Sequence, residues 1–298
     1  MQAFDYARPG TLAEALALAS NGRRVLFLAG GTDVIVQLRE GRRSCDLLID
    51  LKHVPELSAI SEGADGSLTI GAAVPLAVIY EHPTVRRAFP AIVDATSIIG
   101  GIAIQSRASL GGNLCNASPA ADASPALMVL GATLHIAGPA GERSLPVAEF
   151  FTGPGRNALQ PGEILVAVRV PALPANAGAF YHRFIPRNEM DIAVASSGVY
   201  LELDPDGRIS DARVALGAVA PTPILVPAAR EALVGRQPGP EAFAAAGEAA
   251  AAAATPIDDM RGGIAQRKHL ARVLTVRALE SALRRIRGGH EPGAAHPR

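Results

Sequence analysis

Two glycine-bearing segments carry most of the chemistry this sequence offers. The first is Leu28-Ala29-Gly30-Gly31-Thr32-Asp33. The second is Ser109-Leu110-Gly111-Gly112-Asn113, which runs on through Leu114-Cys115-Asn116-Ala117-Ser118-Pro119-Ala120-Ala121-Asp122. Paired glycines let a backbone approach a ligand closely and turn consecutive N–H groups outward, and a helix N-terminus adds partial positive charge. Together these suit a pyrophosphate, whose charge amide groups can meet without any lysine. Neither segment has the Gly-x-Gly-x-x-Gly spacing or the lysine of a P-loop. Either one alone reads equally well as an ordinary tight turn. Two of them, flanked by Ser, Thr, Asn and Asp, favour a dinucleotide without saying which.

Other chemistries lack their residues. The only cysteines are Cys45 and Cys115, against the four thiolates that normally hold an iron–sulfur cluster, and no disulfide framework is implied. The histidines lack metal-ligand spacing, so redox chemistry here would need a cofactor. Lysine plus arginine equals aspartate plus glutamate at 28 each, whereas nucleic acid or an anionic membrane calls for a basic excess. The local clusters Arg39, Arg42, Arg43 and Arg284, Arg285, Arg287 read as solvated helix faces or partner contacts. Met1 to Pro9 has no long apolar run, so neither a signal peptide nor a membrane anchor is expected, and the location expected is cytoplasmic.

The elements that must position the glycine segments are readable in outline. A chain of 298 residues suggests two or three domains. Thr11 caps a helix with Leu12 and Leu16 on one face. Val25–Leu28 reads as a strand entering the first glycine turn. Thr32 or Asp33 then starts a helix that stops at Gly41, and Leu47–Ile49 forms another strand. Further on come a strand at Leu68–Ile70, a helical stretch from Thr84 to Ile98, and a helix capped by Ser124 with Pro125 in its first turn. Strands follow at Thr133–Ile136 and Ile164–Val170, then a Pro/Ala/Gly-rich linker from Pro171 to Gly178. Ala179–Ile185, Ala193–Leu203 and Ile209–Ala218 read as three strands, the last two joined by the turn Asp204-Pro205-Asp206-Gly207. Helices are expected over Pro227–Val234, Pro240–Ala254 and Ile264–Ile286.

The two glycine segments together, extended back to Ile104-Gln105-Ser106-Arg107-Ala108, resemble the FAD-binding medium subunit of the xanthine dehydrogenase and carbon monoxide dehydrogenase family. The resemblance continues in Pro161-Gly162-Glu163-Ile164-Leu165, in Arg187-Asn188-Glu189-Met190-Asp191-Ile192-Ala193 and in Arg261-Gly262-Gly263. It implies an α+β chain: a p-cresol-methylhydroxylase-type FAD-binding domain of two α/β subdomains, then a C-terminal domain with a three-stranded antiparallel sheet and helices. The corresponding divisions are 1–58, 59–174 and 179–287, with a disordered tail at 288–298. By motif match, Ala29, Gly30, Gly31, Thr32 and Asp33 form one pyrophosphate loop, and Ser109, Leu110, Gly111, Gly112 and Asn113 the other. Asp122 matches a flavin-contacting aspartate, and a solvated acid beside a helix start would look the same. Leu165 matches an apolar residue packed by the flavin, which a buried strand leucine would also resemble. Ile99 and Arg183 match ring-contacting positions where animal members carry an aromatic residue and a lysine. This departure weakens both matches, and Arg183 could equally be a surface strand residue.

The same resemblance implies non-covalent FAD, no metal ligands and no substrate-side catalytic residue on this chain. Its partners would be a small subunit with two [2Fe–2S] clusters and a large subunit with the molybdenum cofactor, arranged as a dimer of heterotrimers. Electrons from the hydroxylated substrate would pass through the flavin to a nicotinamide, oxygen or a quinone-side acceptor. A free-standing FAD oxidase is the competing expectation, although 4% aromatics and no Trp leave its substrate cage without obvious residues. A redox-silent scaffold is the other.

Overall fold

The computed structural model describes residues 2–187 and 190–288. The expected tail therefore lies outside the described residues from 289 on, as do Asn188 and Glu189 of one family motif.

The N-terminal part is a three-stranded parallel sheet in the order Asp5–Ala7, Leu47–Asp50, Val25–Leu28. Parallel neighbours need crossover connections, and helices Leu12–Ala19 and Val34–Arg39 lie between the strands in sequence. Thr11 caps the first helix as expected, its hydroxyl accepting from the Glu14 amide at 3.2 Å. Asp33 occupies the N-cap of the second without a side-chain bond to it.

The middle part is a five-stranded antiparallel sheet in the order Ile60–Glu62, Leu68–Gly71, Ile164–Val170, Thr133–Gly138, Gly141–Pro146. Its apolar face is covered by helices drawn from residues 76–129, in one core that includes Leu68, Ile70, Phe89, Ile92, Leu127 and Val168. The helical stretch expected from Thr84 to Ile98 is two helices, Pro83–Ala88 and Pro90–Thr96. Pro90 has no amide to continue the first helix, and Phe89 before it leaves helical geometry at φ −133°, ψ 52°. The helix expected at Ser124-Pro125 is Ala123–Val129, starting two residues earlier; Asp122 takes the N-cap position and Ser124 is buried inside.

The C-terminal strands Ala177–Phe184, Ala195–Leu203 and Ile209–Gly217 pair antiparallel, and the two-residue strand Ile224–Leu225 extends the far edge. The first begins at Ala177, inside the expected linker. Alternation along these strands divides the sheet's faces. Phe180, Val199, Leu201, Val214 and Leu216 join helices Pro240–Ala253 and Ile264–Ile286 in one core. Ala179, Tyr200 and Ala215 belong instead to the core of the middle part, against which helix Ala123–Val129 also packs. The C-terminal sheet is thereby fused to the part that carries the second glycine segment. Arg285 is not a solvated helix residue, as its cluster suggested: its side chain is only 8% exposed and pairs with Asp94. Among the described residues no helix is long and apolar enough to cross a membrane.

Candidate functional site

The two glycine segments meet. A Cβ placed on Gly30 would lie 1.9 Å from the Arg107 carbonyl oxygen and 2.9 Å from the Ala108 Cα, so the first loop is seated backbone to backbone on the approach to the second. Gly31 follows at φ +77°, a left-handed conformation that turns the chain from the end of strand Val25–Leu28 into helix Val34–Arg39. On the other side, Gly111 sits against Ala72, whose carbonyl accepts the Gly111 amide at 2.9 Å. Ser109 caps helix Leu110–Asn116 by accepting from the Gly112 amide at 3.1 Å.

Between these loops lies a cavity of about 450 Å³. Ala29, Gly30, Gly31, Thr32, Asp33, Ser109, Gly111, Gly112 and Asn113 all line it, and Ile99 and Leu165 form part of its wall. Three expected site residues are elsewhere. Leu110 is fully buried in the core of the middle part, at the first position of helix Leu110–Asn116, whose buried face also includes Gly111 and Leu114. Asp122 and Arg183 form a buried ion pair at 2.7 Å, and Tyr181 donates to the same carboxylate at 2.6 Å. Arg183 also donates to the Ile98 carbonyl at 2.7 Å, so it reaches the cavity wall one residue from Ile99 through the backbone. Burial pushes the Asp122 carboxyl up to about 6, against the downward pull of Arg183 and Tyr181. It is not a solvated acid, and Arg183 is not a surface residue.

Residues to which the sequence reading gave no individual role support or complete the wall. Gln105, buried in the middle part, donates to the Ser97 and Ile99 carbonyls, so the 97–100 segment is held by Gln105 and Arg183 together. Asn116 accepts from Gln37 at 3.1 Å across the cavity's two sides, and Asn157 donates to the Cys115 carbonyl at 2.8 Å. Burial pushes the Cys115 thiol up to about 12, leaving it a neutral wall residue. Polar side chains at these positions give no periodic signal, and only the folded chain brings them together.

Comparison with known proteins follows the same division of the chain. The profile of the FAD binding domain in molybdopterin dehydrogenase matches residues 2–173, and that of the CO dehydrogenase flavoprotein C-terminal domain matches residues 180–282. The chain belongs to this flavoprotein family. The xanthine dehydrogenase FAD-binding subunit of Escherichia coli O157:H7 is 33% identical over 284 residues, covering 94% of this chain and 97% of that one. The carbon monoxide dehydrogenase medium chain of Hydrogenophaga pseudoflava is 30% identical over 281 residues, covering 94% and 96%. Its solved structure superposes with a TM-score of 0.91 over 95% of this chain and 98% of that chain. Quinoline 2-oxidoreductase of Pseudomonas putida 86 gives 0.89 at 30% identity, covering 97% and 98%.

The FAD-binding subunit has the donors such a cofactor needs. Among the described residues, the amides of Gly30, Gly31, Thr32 and Asp33 donate to no protein acceptor, a pattern that fits a bound anion. Asn113 Oδ1, on the cavity wall, is buried without a hydrogen-bond partner. By contrast the Gly111 and Gly112 amides are already used by Ala72 and Ser109. The first loop thus keeps its amides free for an anion, whereas in the second Gly111 is packed against Ala72 and a Cβ at Gly112 would meet only the Ser109 hydroxyl. Among the described residues no cluster of three or more His, Cys, Asp or Glu could hold a metal.

Proposed function

We propose that the chain is the electron-relaying flavin subunit of a heteromeric molybdenum hydroxylase. The observation that carries this reading is the cavity between the two glycine loops, with four unpartnered amides at one wall. Bound FAD supplies a carrier that takes electrons singly or in pairs. The protein's part is to bind and orient it. Gly30 to Asp33 present amides to the pyrophosphate, Ser109, Gly111, Gly112 and Asn113 shape the opposite wall, and Ile99 and Leu165 give the ring an apolar surface that excludes water. Leu110 acts by anchoring its loop in the core. Asp122 and Arg183 act by holding the Ile98 carbonyl, and so the 97–100 wall. The domain divisions 1–58, 59–174 and 179–287 belong to the same reading, with a cytoplasmic location. So do the partners: a small [2Fe–2S] subunit and a large molybdenum subunit in a dimer of heterotrimers, delivering electrons for a nicotinamide, oxygen or quinone-side acceptor.

The relay role is tested by what the chain does alone. Purified, it should carry roughly one FAD per chain, as expected of a single pocket, released to the supernatant by acid. Dithionite should bleach the oxidised flavin band in stopped flow. The organic substrates that the assembled complex turns over should not, until the iron–sulfur and molybdenum chains are added. Rapid bleaching by such a substrate with this chain alone would establish a self-sufficient oxidase, and colourless protein a scaffold.

A further inference from the structure

The first glycine loop is held from outside the cavity by a chain of side chains that no glycine motif includes. Tyr6, on the edge strand Asp5–Ala7, donates its hydroxyl to Asp50 Oδ2 at 2.6 Å. Asp50 ends the central strand and is 3% exposed; its Oδ1 accepts from the Lys52 ammonium at 2.7 Å and from the Lys52 amide at 3.1 Å. Lys52 Nζ then donates to the Ala29 carbonyl at 3.1 Å, just where the third strand gives way to the glycine turn. Tyr6 within the edge strand and Asp50 at the end of the central strand are therefore linked through Lys52 to a single peptide group just past the third strand. Burial opposes ionisation of Asp50, but the bonds from Lys52 and Tyr6 outweigh it and hold the carboxyl below its usual range. The anion needed to anchor Lys52 is thus present at neutral pH.

The peptide that Lys52 holds is the one that presents the Gly30 amide. In a trans peptide the carbonyl and the following N–H point in opposite directions, and no cis peptide occurs among the described residues. Ala29 and Gly30 line the cavity and Lys52 does not. Drawing the Ala29 carbonyl toward Lys52 therefore turns the Gly30 N–H to the other side of the peptide, where it has no protein acceptor. Nothing else in the protein bonds this carbonyl among the described residues. A flip of the same peptide would put a carbonyl oxygen where an anion must sit.

We infer that Lys52 is a positioning residue for cofactor binding: held by Asp50 and Tyr6, it sets the Ala29–Gly30 peptide so that the Gly30 amide faces the cofactor's pyrophosphate. This rests on the FAD reading above. It also predicts a selectivity that a general loss of structure would not give, because only ligands with a diphosphate use that amide.

The test titrates the flavin-stripped full chain with FAD and with riboflavin, which lacks phosphate, by calorimetry or fluorescence quenching. If the wild type binds neither, the FAD reading itself fails. If it binds FAD, Lys52→Met should weaken FAD by about tenfold, the worth of one charge-assisted hydrogen bond, while riboflavin affinity stays within about twofold of wild type. Lys52→Arg, which keeps a charged donor, should recover most of the loss. Unchanged FAD affinity in Lys52→Met overturns the inference, and so does an equal loss for FAD and riboflavin. Should Lys52→Met not fold, Tyr6→Phe carries the test. It removes only the distal hydroxyl and should weaken FAD about threefold, again sparing riboflavin; no FAD effect in that variant overturns the inference.

Discussion

Gly112→Val strongly weakens FAD binding and leaves the fold standing, whereas Gly30→Ala damages both. A Cβ at Gly112 meets only the Ser109 hydroxyl, at 2.9 Å, and otherwise opens on the cavity. The valine methyls would fill ligand space, weakening FAD by about 10- to 100-fold or more. Flavin-free stability should stay within about 1 kcal/mol, since valine is the better helix former and the Ser109 cap is the worse for it. At Gly30 the smallest side chain collides with the Arg107 carbonyl at 1.9 Å, and that oxygen is backbone. The two loops must part, costing about 1–3 kcal/mol of stability as well as the cofactor. Gly31→Val is a poorer probe than its place in the motif suggests. At φ +77° any L side chain is strained by roughly 1–2 kcal/mol before the ligand is considered. Urea titrations of the flavin-free variants, set beside FAD titrations, separate the cases. Equal stability losses at Gly30 and Gly112 would mean that both glycines serve packing alone.

That contrast marks where the sequence stops being informative. Strand Val25–Leu28, the glycine turn and helix Val34–Arg39 are legible because an apolar run, a left-handed glycine and a helical period follow one another locally. The turn at 204–207 between the two long C-terminal strands is legible for the same reason. Which side of a glycine faces the protein and which the ligand is not a local property. Gly30 and Gly111 are small because another backbone lies against them, and Gly112 because a cavity does. The sequence pattern makes all three look alike. Asp122 shows the converse: its motif position was readable, but its burial against Tyr181 and Arg183 depends on strand Ala177–Phe184 crossing the start of helix Ala123–Val129. The same crossing turns Arg183 into a support for the cavity wall through Ile98, so the C-terminal sheet helps shape a site whose glycine loops lie in the first half of the chain.

The second junction between these parts is the Asp94–Arg285 pair, and its disruption should be strongly destabilising. The guanidinium meets both carboxylate oxygens, at 2.7 and 2.8 Å, donates to the Ala179 carbonyl at 2.6 Å and lies 4.3 Å from the Phe180 ring centroid. Asp94, with no exposed side-chain surface, also accepts from the Tyr181 amide at 3.3 Å. The two residues are 191 positions apart, one on helix Pro90–Thr96 and one in the last turn of helix Ile264–Ile286. Arg285→Met leaves a carboxylate buried without its cation, which costs about 3–5 kcal/mol. For a chain of this size that lowers the thermal midpoint by about 10 °C. The exposed pair Arg272–Glu248 is the control, and Arg272→Met should cost less than about 1 kcal/mol. Adding Asp94→Leu to Arg285→Met should recover part of the loss, because the buried carboxylate that lost Arg285 is then gone. Thermal melts of the flavin-free chain followed by circular dichroism decide it. A shift for Arg285→Met no larger than for Arg272→Met would show that the buried pair does not fasten the two parts together, and a double variant worse than the single would show that shape, not charge, fills that site.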